Sequence, residues 1–213
     1  MRTGNGTRSL VLVLLLSAGA ARADPSLRPP RLPGSATAGA ALDRCSQADH
    51  ARGPARADLL KKGLALAEEA VAADDGDARA HFAVFCNLGK QAHDAGLSIF
   101  NLGKLPRLRR EVDRTLELAP DSADALVGKG AMLREMPRLL GGDLAQAERL
   151  LRRALDIDPA FPYARLELAR VLAARQAVEE ARVEARRALE MARERPGGTE
   201  AEQAAALLAE LGR

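Results

Sequence analysis

Residues 143–193 read DLAQAERLLRRALDIDPAFPYARLELARVLAARQAVEEARVEARRALEMAR. Ala147, Leu151 and Ala154 fall at helical spacing, and Pro159 stops that helix five residues later. The frame returns at Ala181, Ala185 and Ala188, with Arg193 where the proline stood. Towards the N-terminus it recurs at Leu108, Val112, Thr115 and Pro120, and again at Gly63, Ala67, Ala70 and Asp75. Successive starts lie 45, 39 and 34 residues apart. A repeat length near 34 is the pattern of helical hairpins that bury their apolar faces against one another. The spacing predicts an all-α stack of about four hairpins, closed by a C-terminal capping helix. Such a stack presents an extended concave surface rather than a deep catalytic pocket, which points to a binding module.

Three regions follow from composition. Residues 1–23 carry Arg2 and Arg8, an apolar run from Leu10 to Ala21, and the small-residue pattern Ala21-Arg22-Ala23. That is the layout of a secretory signal peptide cleaved near Ala23. The run spans about a dozen residues, short of the roughly 20 that cross a bilayer, so no stable membrane anchor is expected after cleavage. Export predicts a periplasmic or secreted location. Residues 24–35 form a proline-rich linker, expected to be extended and poorly ordered. Residues 36–213 form the repeat domain.

Charge changes meaning once the leader is removed. The full chain has 32 Lys+Arg against 29 Asp+Glu, a formal charge of +3. Arg2, Arg8 and Arg22 all belong to the leader, so the mature chain balances 29 basic residues against 29 acidic ones. A nucleic-acid-binding role therefore has no electrostatic support. Aromatic residues make up 2% of the chain and Trp is absent, so the core must come from close contacts between alanine- and leucine-bearing helices. Cys45 and Cys86 fall on the first helices of neighbouring hairpins. Export permits a disulfide between them, worth roughly 3–4 kcal/mol on the loop-entropy estimate. The alternative is that both are small apolar fillers.

Local signals divide the domain further. A first helix is expected from Ala36 to about His50, broken by Gly53-Pro54, and a second over Asp58–Ala73. Another spans Ala78 to about His93. Segment 97–106, LSIFNLGKLP, is an apolar insertion that needs somewhere to bury itself. Arg107–Ala119 and Ala123–Glu135 follow, the latter capped by Asp121-Ser122. Asp143 caps the next helix, with Gln146 completing a capping box. Pro162 suits a helical first turn, and Thr199 is placed to cap the last helix.

Two family resemblances rest on these residues. Leu168-Ala169-x-x-Leu172…Ala181…Ala188, together with Gly130…Ala147…Ala154…Asp158-Pro159, resembles the tetratricopeptide repeat (TPR). It covers about residues 58–195 and is degenerate in the first two units, where Leu108 and Thr115 replace small residues and Asp75 replaces proline. The resemblance implies a right-handed superhelical stack of TPR-like hairpins whose small residues sit at close helix crossings, and a non-enzymatic scaffold for a partner protein. A narrower one, carried by the insertion and by the Pro-x-Leu-Leu-Gly-Gly-Asp turn at 137–143, is similar to the TatT-like T-components of TRAP transporters. It implies an accessory that binds or relays a small organic solute.

No catalytic set emerges. His50, His81 and His93 are dispersed and lack metal-site context, so no cofactor or metal is expected. His81 and Asp77 read as a capping or surface pair, and the carboxylates among Arg182, Arg186 and Arg187 read as a solvated face. Two binding candidates remain. Lys104, Arg107, Arg110 and Arg114, with Arg109 beside them, form a basic stripe that reads first as a solubilising outer face and otherwise as a surface for an acidic segment of a partner. Phe82, Phe85, Leu97, Ile99 and Phe100 would line an apolar groove, or else plug the end of an imperfect solenoid.

Overall fold

The structure, a computed structural model, describes residues 32–96, 103–194 and 198–212. Nine α-helices and no strand occur among them: α1 (Ala36–Gln47), α2 (Gly53–Ala73), α3 (Ala78–Asp94), α4 (Leu105–Leu118), α5 (Ala123–Glu135), α6 (Leu144–Ile157), α7 (Pro162–Ala174), α8 (Val178–Arg193) and α9 (Glu200–Leu211). They pair as α1/α2, α3/α4, α5/α6 and α7/α8, with α9 packed on α8 and touching α7. The first helices also meet one another, α1 with α3, α5 with α7 and α7 with α9. This is the expected all-α stack of hairpins with a helix closing its C-terminal end.

Helix starts follow from their capping chemistry. Ser35, Asp77 and Ser122 each accept a backbone N–H three residues on, from Ala38, Ala80 and Ala125. Asp143 accepts from both Ala145 and Gln146. The capping box itself does not close: the Asp143 N–H, which Gln146 would have taken, donates to Leu133 O at 3.2 Å. Two further expectations need correcting. Gly53-Pro54 opens α2 instead of only ending what precedes it, because a first-turn proline forfeits no helical hydrogen bond. Thr199 makes no cap; its hydroxyl accepts from Gln203 Nε2 at 2.7 Å.

The first three positions of the repeating frame are buried on every second helix, from Gly63, Ala67 and Ala70 through to Ala181, Ala185 and Ala188. Small residues are required there because backbones approach. A Cβ on Gly130 of α5 would lie 2.9 Å from Leu151 Cγ and 3.3 Å from Ala147 O on α6. The main apolar core spans α5 to α8, with Leu126, Leu151, Leu168 and Val171 at its centre. The N-terminal hairpin has only small clusters, such as Ala38/Ala70/Ala80 and Cys45/Ala48/Leu60.

Other bonds reinforce that thin core. Cys45 and Cys86 are joined, linking α1 to α3 with a Cα separation of 6.3 Å. Buried Asn87 on α3 donates to Ala41 O at 3.1 Å, tying the same two helices. The end of the linker is also held, contrary to its expected looseness. Arg79 Nε donates to Leu32 O at 2.7 Å, Ser35 N donates to Asp77 Oδ2 at 2.7 Å, and Leu32 is buried. Burial pushes the Asp77 carboxyl up, but hydrogen bonds from Ser35, Ala80 and Arg79 outweigh it and hold the group below the usual carboxylate range.

Candidate partner-binding face

The basic stripe on α4 is largely engaged within the molecule. Arg107 pairs with Glu68 of α2 at 2.7 Å and reaches Glu111 at 3.6 Å. Arg114 pairs with Asp75 at 3.3 Å and Glu117 at 3.2 Å. Between them His81 is buried, its Nδ1 2.7 Å from Glu111 Oε2 and its Nε2 3.0 Å from Asp75 O. Asp77 does cap α3, but His81 turns away from it to bind α4 and the Asp75 turn. The stripe is thus chiefly a seam between consecutive repeats. Arg110 is exposed and Lys104 half-buried at the start of α4, and neither forms an ion pair among the described residues.

The array of first helices offers a second surface. On α3, Phe82 and Phe85 are half-buried, with ring centroids 6.0 Å apart. They lie against Gly128 of α5, where a Cβ would come within 2.7 Å of the Phe85 ring. Leu97, Ile99 and Phe100, the remaining expected members of this groove, lie outside the described residues. Further along, an open groove of about 420 Å³ runs between α5, α7 and α9, lined by Arg134, Arg170, Ala173, Gln203, Leu207 and Glu210 among others.

Beneath that groove lies Glu167, a fully buried carboxylate that sequence reasoning missed. Arg134 Nε donates to it at 3.0 Å and Arg170 also pairs with it. Arg170 continues to Gln203 Oε1 at 2.7 Å, so one carboxylate ties α5, α7 and α9 together. Burial pushes the Tyr163 phenol upward, and the negative Glu167 adds to the rise. Glu148 is similarly buried and paired with Arg152 and Arg175. Glu184, expected on a solvated face, bridges Arg165 and Arg187, each at 2.9 Å. The only local hint of these pairings was carboxylate-to-arginine spacing of three or four residues, which surface pairs share.

Residues 139–211 match the tetratricopeptide repeat family. That segment carries tetratricopeptide repeats. Solved structures agree on the fold. A thermophilic TPR protein of Thermus thermophilus superposes with a TM-score of 0.58 at 18% identity, over 74% of this chain and 82% of that chain. The ArsTM double mutant of MamA RS-1 superposes with a TM-score of 0.50 at 17% identity, over 85% of this chain and 97% of that chain. At such identities the likeness is one of fold. No curated relative matches this sequence.

Among the described residues, no group of three His, Cys, Asp or Glu side chains is placed to hold a metal ion, and no helix is long and apolar enough to cross a membrane. The turn between α5 and α6 is the other departure from a plain repeat. Pro137 to Gly141 are all exposed there, and Leu139 is 99% exposed.

Proposed function

We propose that this protein is an exported, non-enzymatic TPR scaffold that binds a partner protein in the periplasm through its array of first helices. The observation that carries the reading is the character of that face. Phe82 and Phe85 offer apolar area on α3, and further along the helix array lies an open groove whose arginines are already committed to Glu167, Gln203 and Glu135. A face whose arginines are paired and whose apolar patches are accessible suits protein contact. TPR proteins are generally scaffolds, which agrees. Export is supported by the leader and by the Cys45–Cys86 bridge, which persists in oxidising compartments.

The transporter-accessory alternative rests on the 137–143 turn and the insertion before α4. One experiment addresses both readings. Source cells are fractionated, and the mature chain is cross-linked in place with the wild-type protein and with Phe82→Ser/Phe85→Ser. The scaffold reading expects a chain beginning near Asp24 in the periplasmic fraction, with one protein adduct that the double variant loses. An uncleaved cytosolic chain would sink export. Heat stabilisation by small organic acids, without any protein adduct, would favour the accessory instead.

A further inference from the structure

The α5–α6 turn is built as a rigid mount for a side chain that the fold leaves uncovered. Leu140 N donates to Pro137 O at 2.9 Å, Gly141 N to Arg138 O at 3.0 Å and Gly142 N to Pro137 O at 3.1 Å. Arg109 of α4 donates to Leu140 O from below. Gly141 adopts a left-handed φ of 88° with the Arg109 guanidinium packed where a Cβ would sit, and a Cβ on Gly142 would overlap Met136 O. Asp143 then locks the exit through its double cap. A turn fixed at this many points has already lost its conformational freedom, so a partner that grips it meets little ordering cost. At its tip Leu139 is 99% exposed, far more than the next large apolar residues, Val183 at 43% and Leu140 at 36%.

Charge around the tip says what fits it. Many arginines elsewhere, such as Arg107, Arg134, Arg152, Arg165 and Arg182, are in ion pairs, while a few exposed ones, Arg110 and Arg186 included, are in none among the described residues. Arg138 in the turn and Arg149 on α6 are exposed and form none among the described residues; both act on Asp143 only at a distance. An apolar tip next to Arg138 in the chain, with Arg149 on the helix that follows, complements an apolar socket rimmed by carboxylates.

We propose that the 137–142 turn is a docking knob: Leu139 enters an apolar socket on a partner protein, and Arg138 and Arg149 pair with carboxylates at its rim. The proposal rests on the scaffold reading, but concerns a different surface from the Phe82/Phe85 face. Its test places a photo-crosslinking p-benzoyl-phenylalanine at position 139 of the full chain, and at Val183 as control, in the source cells. The expected result is a protein adduct from position 139 that position 183 does not give. With that partner purified, titration should show Leu139→Ser weakening binding roughly ten- to a hundredfold, the range expected for losing one buried leucine. Leu139→Met should retain it, and Arg138→Glu/Arg149→Glu should weaken it most at low salt. All variants should keep the wild-type melting temperature, because these exposed side chains hold no packing to lose. Absence of an adduct at 139, an adduct only with a second copy of this chain or with lipid, or binding indifferent to Leu139→Ser would overturn the knob. In the last case the scaffold reading survives if Phe82→Ser/Phe85→Ser still abolishes binding.

Discussion

Removing the Cys45–Cys86 bridge should uncouple the N-terminal hairpin from the stack. The bridge closes a separation of 41 residues, for which loop entropy lost by the unfolded chain amounts to about 4 kcal/mol. The loss matters more at this end than elsewhere, because α1 and α2 rest on clusters of alanines with Leu60 and Val84, not on the leucine-rich core. Contacts in a solenoid run mainly between neighbours, so the effect should stay local. Hydrogen exchange of Cys45→Ala/Cys86→Ala against the oxidised wild type is the direct assay. Amides of α1 and α2 should open about a thousandfold more readily, the factor equivalent to ~4 kcal/mol, while α7 and α8 keep their protection. Reducing agent on the wild type should reproduce the pattern. A change below tenfold in α1 and α2, or an equal change along the whole chain, would refute the claim that the bridge substitutes for missing apolar core.

Three further outcomes follow from the packing. Gly130→Ala sets the gain in helix propensity, up to about 1 kcal/mol, against a 2.9 Å clash with Leu151 Cγ. A net loss of about 1–2 kcal/mol in urea titration is expected, and a stabilised variant would show that α5 and α6 have slack. Glu167→Ala leaves two arginines without their shared carboxylate and should cost about 3 kcal/mol, at the low end for broken buried pairs because both guanidinium groups retain some water access. Asp77 is held below its ordinary range, so the stability it contributes is present above the usual carboxylate pKa and fades as pH falls through the lowered folded value. Acidification should therefore release residues 32–35 first, read as faster exchange at the Ser35 amide, and Asp77→Asn should abolish that pH dependence.

Most of the fold is legible in the sequence because periodicity and small residues act locally. Ala147, Leu151 and Ala154 announce a buried face wherever they occur, and Ser122 and Asp143 cap from their own backbone position. Pairings across repeats are not legible. Arg107 looks like a free charge because Glu68 lies on another hairpin, and Glu167 looks like any helical glutamate until α5 and α9 close over it. Gly53-Pro54 misleads for a different reason: read as a breaker it would end α1, which already stops at Gln47, whereas a proline in the first helical turn opens α2.

That contrast bears on where recognition sits. Charges that a sequence displays as clusters are, in this stack, often consumed in holding neighbouring repeats together, so a basic stripe on a second helix is weak grounds for a docking site. Arg110, exposed and without an ion pair among the described residues, separates the alternatives on α4. Charge reversal there leaves the α2–α4 seam intact, whereas reversal at Arg107 breaks the bond to Glu68 and weakens both folding and any binding. A partner lost with Arg107→Glu but retained with Arg110→Glu would mark the stripe as structural, leaving the first-helix face and the rigid turn to carry recognition.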